Sequence, residues 1–505
     1  MTSRMTTASP STHSENAGSD TANVGNATGA TPGYADVLVG LQYGDEGKAK
    51  IIDVLAPEYD VIARFNGGAN AGHTIDTPFG RIALKQLPSG VFHPHASLYI
   101  GSGCAINPWK LADEIAQLQA MGVSFDGRLH ISARAALVQP HHIALDRRGS
   151  ATIGTTGNGI GPCYADRALR VRNESRVNLM IGDLLENEAQ AVATMRDVLT
   201  RMINAEGGTS PWVAELSDLL LRLPKVMATL RPHIEPDRSW LTRRVVAGAR
   251  VLYEGAQSVL LDVVDGAQPY VTSSYTVPAF AYVGGDLSPK YHRRTIGVAK
   301  AVVSRVGRGP FPSELGAERS ATYCREAAQS GLGAMHEAAT HVPETLLRSN
   351  DPFQIGMALR MLTGEYGTGT GRPRRIGMLD LAQLREVVKA HGVDCVYLNK
   401  VDCLAHFIES SYQGVPMRLH RDVLPSDNIP DILIFPGLTE RSLNHGREGY
   451  LDVALRGFID FVERHIGAPL AGIGLGPERA SMMLLKDGAA VAVSGAVNPR
   501  AATHV

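Results

Sequence analysis

The chain has 505 residues, 44% of them hydrophobic, so it can bury a sizeable core, and its length allows about three domains. Its 49 basic and 50 acidic side chains leave a formal charge of −1, which excludes a global field that would recruit nucleic acid or an anionic membrane. Five cysteines without a CxxC pair read as reduced thiols of a cytoplasmic protein, not a disulfide framework or zinc site, and no apolar run is long enough to span a bilayer.

Residues 1–33 are dominated by Ser, Thr, Ala, Asn and Gly and read as a disordered tail. They lack the apolar stretch of a secretory signal, and Glu15, Asp20 and the scarcity of Arg weigh against a transit peptide. From Tyr34 to the C-terminus at Val505 there is no linker and no repeat, so we expect a single catalytic domain over 34–505. Its first apolar run, Val37 to Leu41, predicts a buried strand. Gly44-Asp45-Glu46-Gly47-Lys48 follows, and Ile51, Ile52, Val54 and Leu55 then share one helical face. A glycine turn between strand and helix aims backbone N–H groups at one spot and suits phosphate. A tight steric connection is the plainer alternative. The turn is not a Walker A loop, which needs Gly at position 42 and Ser or Thr at position 49, where this chain has Gln42 and Ala49. Asp45 is the anomaly. A carboxylate inside an anion site needs a divalent cation beside it or a proton to accept.

Farther along, Val61 to Phe65, Leu98 to Ile100, Val251 to Tyr253 and Val396 to Leu398 predict further buried strands. Helical periodicity covers Leu111 to Met121, Trp212 to Leu223 and Leu451 to His465, whereas 207–210 and 330–334 read as surface loops. This alternation predicts an α/β fold with a large, mainly parallel central sheet flanked by helices, and ligands beyond the carboxyl ends of its strands.

Several polar clusters fall at such ends. Ile153 to Pro162, with Thr155, Thr156, Gly157, Asn158 and Gly159, offers a second anion-binding loop or a flexible surface loop. Tyr253-Glu254-Gly255-Ala256-Gln257 places an amide where it can bond a base edge or be satisfied in the core. Thr368 to Arg375 gathers three arginines in a glycine loop that Pro373 keeps from being a helix, which suits carboxylates and phosphates. Asn399-Lys400-Val401-Asp402 after a strand matches the NKxD signature for guanine: Asp402 accepts from the guanine N1–H and N2–H2 groups, and the Lys400 stem can lie on the ring.

With Asn70-Ala71-Gly72-His73-Thr74, Leu87-Pro88-Ser89-Gly90, Asp262, Pro269 to Ser274, Arg305-Val306-Gly307, Gly309 to Pro312, Glu365-Tyr366-Gly367 and Gly476 to Arg479 in order, the chain resembles the adenylosuccinate synthetase family from about Tyr34 to Leu485. The resemblance implies a P-loop-NTPase-like GTP site with an atypical phosphate loop. It also implies ligation of IMP and L-aspartate through a 6-phosphoryl-IMP intermediate. Asp45 is implied as the base at purine N1, His73 as the acid toward O6 or the phosphoryl group, and Gln257 as a bond to the purine edge. One Mg2+ per subunit would be held by Asp45 and the Gly72 carbonyl. The GTP site would run from Gly44 through Asp45, Glu46, Gly47, Lys48, Ala49 and Lys50. It would add Gly72, His73, Thr74, Arg374, Lys400, Val401, Asp402, Gly474, Leu475 and Gly476. IMP would meet Asp45 to Lys48, Asn70 to His73, Thr156, Gln257, Thr272 and Arg372. Aspartate would meet Thr368, Gly369, Thr370, Gly371, Arg372, Pro373 and Arg374. Arg170 would reach the neighbouring site of a homodimer.

The chain also departs from the family pattern. Ala49 stands where Gly is usual, Asn158 where Arg is, Tyr275 where Asn is, and Leu438 where Trp is. Val277 to Phe280 lacks the expected glycines, and extra residues lie between Arg170 and Gly182 and between Glu314 and Glu365. Two other readings stay open: a paralogous ligase for a different purine nucleotide, and a GTP-binding regulator without catalysis. Asp45, which phage relatives using guanine nucleotides tend to lack, weighs against the first. Asp45, His73 and Gln257 together weigh against the second.

Overall fold

The computed structural model describes residues 31–77, 80–153, 155–172, 174–205, 212–367, 371–419, 432–486 and 489–492. Most of the expected N-terminal tail, the loop at 207–210 and residues 368–370 of the arginine-rich loop lie outside these.

Among the described residues, eleven strands build the central sheet: β1 (Ala35–Gly40), β2 (Val61–Arg64), β3 (Ser97–Ile100), β4 (Leu129–Ser132), β5 (Ile234–Glu235), β6 (Val251–Ser258), β7 (His292–Lys300), β8 (Cys395–Asn399), β9 (Leu470–Gly474), β10 (Met482–Lys486) and β11 (Ala489–Ala492). Their spatial order is β5-β4-β3-β2-β6-β1-β7-β8-β9-β10-β11. The pairings from β5 across to β9 are parallel, and β10 and β11 close that edge antiparallel. The sheet is therefore large and mainly parallel.

Both faces of the sheet are covered, as parallel strands require. In β1, Leu38 packs into one apolar cluster with Ile51, Ile52 and Leu55 of the helix Lys48–Leu55, while Val37 and Val39 enter the cluster on the opposite face. That alternation explains the unbroken hydrophobic run. The chain leaves β1 toward β2 on one side and later adds β7 on the other, so a crevice opens beyond β1 where strand order reverses.

The expected helices are found with shifted ends: Pro108–Ala120, capped by the Asn107 side chain, and Val453–Ile466, capped by Asp452 and closed by left-handed Gly467. The third differs. The helix Val213–Leu230 runs through Pro224, because Leu216, Leu220, Leu223, Met227 and Leu230 keep one buried stripe across it. That burial outweighs the hydrogen bond proline cannot make. Ala334, expected in a loop, begins the helix Ala334–Thr340. Among the described residues no helix is long and apolar enough to cross a membrane.

Candidate active site

The turn after β1 is wound tightly. Gly44, Asp45 and Gly47 have φ of 94°, 56° and 83°, left-handed values that glycine adopts freely and aspartate tolerates. Glu46 turns inward and its carboxylate accepts from the Gln42 N–H (3.2 Å), the Gly44 N–H (2.9 Å), Lys48 Nζ (2.8 Å) and the Ser258 hydroxyl. Burial would raise its pKa, but Lys48, Ser258 and Lys300 hold it below the usual range. Glu46 therefore braces the turn and aims Lys48, whose ammonium is itself buried. Asn399 at the end of β8 donates to the Glu46 carbonyl (2.7 Å), which ties the turn to the guanine-type motif.

Asp45 points outward, its side chain 36% exposed, with Arg374 Nη2 2.6 Å from its carboxylate. Arg374 also meets Glu365, a buried carboxylate on which Lys300 and Lys400 converge and to which the Ser304 hydroxyl donates. Burial would raise Glu365, but Lys300, Lys400 and Arg374 hold it far below the carboxylate range. Burial pushes the Lys300 ammonium down, against the pull of Glu365. Four cations (Lys48, Lys300, Arg374, Lys400) thus share three carboxylates (Glu46, Glu365, Asp45). The small positive surplus falls short of a triphosphate's charge, which a divalent ion would balance. The accessible Asp45 carboxylate and the exposed Gly72 backbone are hard oxygen donors of the kind Mg2+ takes.

His73 opens a hairpin, His73–Thr77 with Gly80–Leu84, and sets Nδ1 against Glu254 of β6. The Ser89 N–H (2.7 Å) and hydroxyl also donate to Glu254. Burial would raise this carboxyl, but His73, Arg64 and Ser89 push it down to about 2. With Nδ1 occupied, Nε2 is the ring nitrogen left for chemistry. Three residues later Gln257 has φ 57°, and its Oε1 is buried without a hydrogen-bond partner. A Cβ built on Gly67 would meet Gln257 Oε1 at 3.2 Å and Asn70 Oδ1 at 3.6 Å, so these two amides converge on one bare stretch of backbone.

The other residues singled out in sequence are spread over several elements. Lys50 Nζ donates to the Gly476 carbonyl (2.6 Å), Val401 N–H to Gly474 (2.9 Å), and a Cβ at Gly474 would strike Asn399 Oδ1 at 2.4 Å. Helix start, guanine motif and the β9 loop with buried Leu475 therefore form one wall, with Ala49 buried behind it. Lys400 sends its ammonium to Glu365. Asp402 is half-buried beside it. Thr156 is exposed and accepts from Asn158 Nδ2 (2.9 Å), while Thr272 sits in a loop that buried Asp262 organises through the Val264, Asp265 and Thr276 N–H groups. Arg170 ends the helix Ile160–Leu169, exposed, at φ 67°. The Thr74 side chain and Thr368, Gly369 and Thr370 lie outside the described residues.

Glu46, expected from the resemblance in the GTP and IMP sites, has its carboxylate buried and bonded within the turn, and the roles of Glu254, Ser258, Lys300 and Glu365 were not foreseen from sequence. Charged residues at the ends of apolar strands were the one available signal. Among the described residues, His141, His142 and Asp166 also gather with metal-ligand spacing. His142 Nδ1 accepts from the Gln139 N–H (3.0 Å), so the neutral ring carries its proton on Nε2, toward Asp166. That tautomer makes a hydrogen-bond network, not a metal centre.

Comparison with known proteins gives one answer. A family profile described as adenylosuccinate synthetase matches residues 37–483. Adenylosuccinate synthetase 2 of Cupriavidus pinatubonensis is 50% identical over 460 residues, 91% of this chain and 99% of that protein. The Thermus thermophilus adenylosuccinate synthetase is 37% identical over 454 residues, 89% and 97% of the two chains. The structure of the fully ligated Plasmodium falciparum adenylosuccinate synthetase superposes with a TM-score of 0.72 at 28% identity, covering 90% of this chain and all of that one. A cyanophage S-2L succinoaminodeoxyadenylate synthetase bound to dGMP and dATP shares the fold at TM-score 0.56 and 20% identity, over 90% of this chain and 96% of that one.

Proposed function

The chain belongs to the adenylosuccinate synthetase family, and from that premise we propose how its own residues carry out the reaction. The activity is the GTP-dependent ligation of IMP and L-aspartate in AMP biosynthesis. Its chemical difficulty is that the 6-oxo group of IMP is a poor leaving group and a poor nucleophile while N1 holds its proton. Asp45 takes that proton, O6 receives the γ-phosphoryl group of GTP, and the aspartate amine displaces phosphate at C6. His73 Nε2 donates to O6 or the phosphoryl group as charge develops there. The observation that carries this reading is the buried, unpaired Gln257 Oε1 on the strand that also supports His73, an acceptor placed for the purine edge.

Lys48 and Arg374 hold the phosphates, and Lys400 and Asp402 select guanine. Asn70, Thr156 and Thr272 hold IMP, and Arg372 with Arg374 faces aspartate. Asp45 and the Gly72 carbonyl would hold one Mg2+ per subunit, which neutralises phosphate charge when bound. Arg170 serves the partner's site in a homodimer, a role favoured by its position between Leu169 and Val171, 45% and 52% exposed. We place the reaction in the cytoplasm, where the five free cysteines suit a reducing environment.

The test follows adenylosuccinate absorbance with purified protein, IMP, GTP and aspartate. Turnover is expected with IMP and not with GMP, and Asp45→Asn is expected to lower kcat by about 10²–10⁴-fold while GTP still binds. Turnover with GMP alone would select the paralogous ligase. GTP binding without any turnover would select the regulator.

A further inference from the structure

The helices Ala317–Gln329, Ala334–Thr340, Pro343–Leu347 and Pro352–Thr363 lie in the stretch between Glu314 and Glu365 to which the family resemblance assigned no role. One carboxylate in it is buried more deeply than a surface insertion requires. Glu337 is 1% exposed, and it accepts three bonds from Arg360, through Nε at 3.1 and 3.0 Å and Nη2 at 2.7 Å. It accepts a fourth from the Tyr366 hydroxyl at 2.5 Å.

Both partners lead to the arginine-rich loop. Arg360 Nη1 donates to the Arg374 carbonyl (3.0 Å), at the exit of the loop. Tyr366, at its entry, bridges to Pro373, and the Gly367 N–H donates to the Arg372 carbonyl (2.8 Å). An independent contact comes from Gly333, before the same helix, where an added Cβ would stand 2.7 Å from the Gly371 carbonyl oxygen. The inserted segment thus rests against the backbone that carries Arg372 and Arg374.

We propose that Glu337 is a positioning residue for the ligation, setting the backbone of Arg372 and Arg374 through Arg360 and Tyr366. Burial alone would favour a neutral Glu337, but Arg360, Tyr366 and Tyr323 keep it ionised, so the clamp is charge-assisted. Glu337 touches no substrate. It fixes the direction from which two guanidinium groups approach the aspartate carboxylates and the GTP phosphates. The proposal rests on the reading of Arg372 and Arg374 as aspartate-facing.

The experiment first confirms adenylosuccinate formation by the unaltered enzyme; failure there sinks the functional reading, not this inference alone. KM for each substrate is then measured in Glu337→Gln, Tyr366→Phe and Gly333→Ala, with the ratio of phosphate released to adenylosuccinate formed. Glu337→Gln is expected to raise the aspartate KM by about tenfold or more, to leave the IMP KM within about twofold, and to raise the phosphate ratio above unity, because misplaced arginines let water compete for the activated nucleotide. Tyr366→Phe, which spares the Arg360 pair, should shift the same quantities less. Unchanged KM values, or a common rise in all three with a lowered melting temperature, would overturn the proposal. If Glu337→Gln does not fold, an unmoved aspartate KM in both other variants overturns it equally.

Discussion

His73 can act as an acid only through the carboxylate behind it. Its Nδ1 faces Glu254, so a neutral ring bearing its proton there offers Nε2 as an acceptor alone. Donation from Nε2 requires the imidazolium; burial holds the His73 pKa below its ordinary value, and Glu254 pulls back part of that shift. Glu254→Gln keeps an acceptor for Ser89 but removes the charge. The His73 pKa must then fall, because the protonated form loses its counter-charge. The alkaline limb of the kcat profile should move acidward by about 1 unit or more, with kcat near neutrality down about tenfold. Titrating kcat from about pH 4 to 9 checks this, and an unmoved limb would show that Glu254 only packs. Glu254 lay in a stretch already notable in sequence, but its partner is 181 residues away, and no local pattern announces such a pairing. The same holds for Lys300 on Glu365, whose meeting depends on β7 ending beside the arginine-rich loop.

At the scale of elements, the joint from β1 to the helix Lys48–Leu55 shows why the glycines were readable and their constraints were not. The Gly-Asp-Glu-Gly turn announced itself by composition. That Gly47 is pinned from outside needed the fold: at φ 83°, a Cβ there would stand 2.8 Å from Asn399 Nδ2. Asn399 cannot swing away, because it donates to the Glu46 carbonyl and Gly474 closes its other side. Gly47→Ala should therefore cost about 1–2 kcal/mol of backbone strain in the turn and raise the GTP KM by about tenfold, with the IMP KM moving less. Steady-state kinetics with each substrate varied in turn decides it, and equal shifts in all three would mean general damage. Parallel strands were legible because burial on both faces makes them continuous apolar runs bounded by Gly, Asn or Lys. The helix through Pro224 was misjudged in length, since proline marks a local stop that a buried leucine stripe overrides.

Across the whole molecule, the candidate site residues collect at the carboxyl ends of the central strands, and the opposite ends of those strands carry a charge cluster of their own. Asp36, the second residue of β1, is fully buried and accepts from Arg293 Nε and Arg294 Nε, both 2.8 Å, and from the Tyr59 hydroxyl. It joins β1, β7 and the turn before β2 at the end remote from the phosphate turn. Burial would raise its pKa, but the two arginines and the tyrosine hold it below the ordinary value. A carboxyl with a depressed folded-state pKa adds stability that is fully present above its unfolded value of about 3.9 and is lost as pH falls through the folded one. Asp36→Asn leaves two guanidinium groups without their counter-charge, though at 39% and 35% exposure water partly solvates them. The expected cost is about 1–3 kcal/mol near neutral pH, below the value for a fully buried pair. The melting temperature at fixed scan rate should drop at pH 7, and the gap to the unaltered enzyme should narrow as pH falls below 4. Turnover at low temperature should persist, because no residue of this cluster touches the phosphate turn, Gln257 or His73. A melting gap constant with pH would assign Asp36 a steric role, and lost turnover in a folded variant would mean that the two ends of the sheet are coupled.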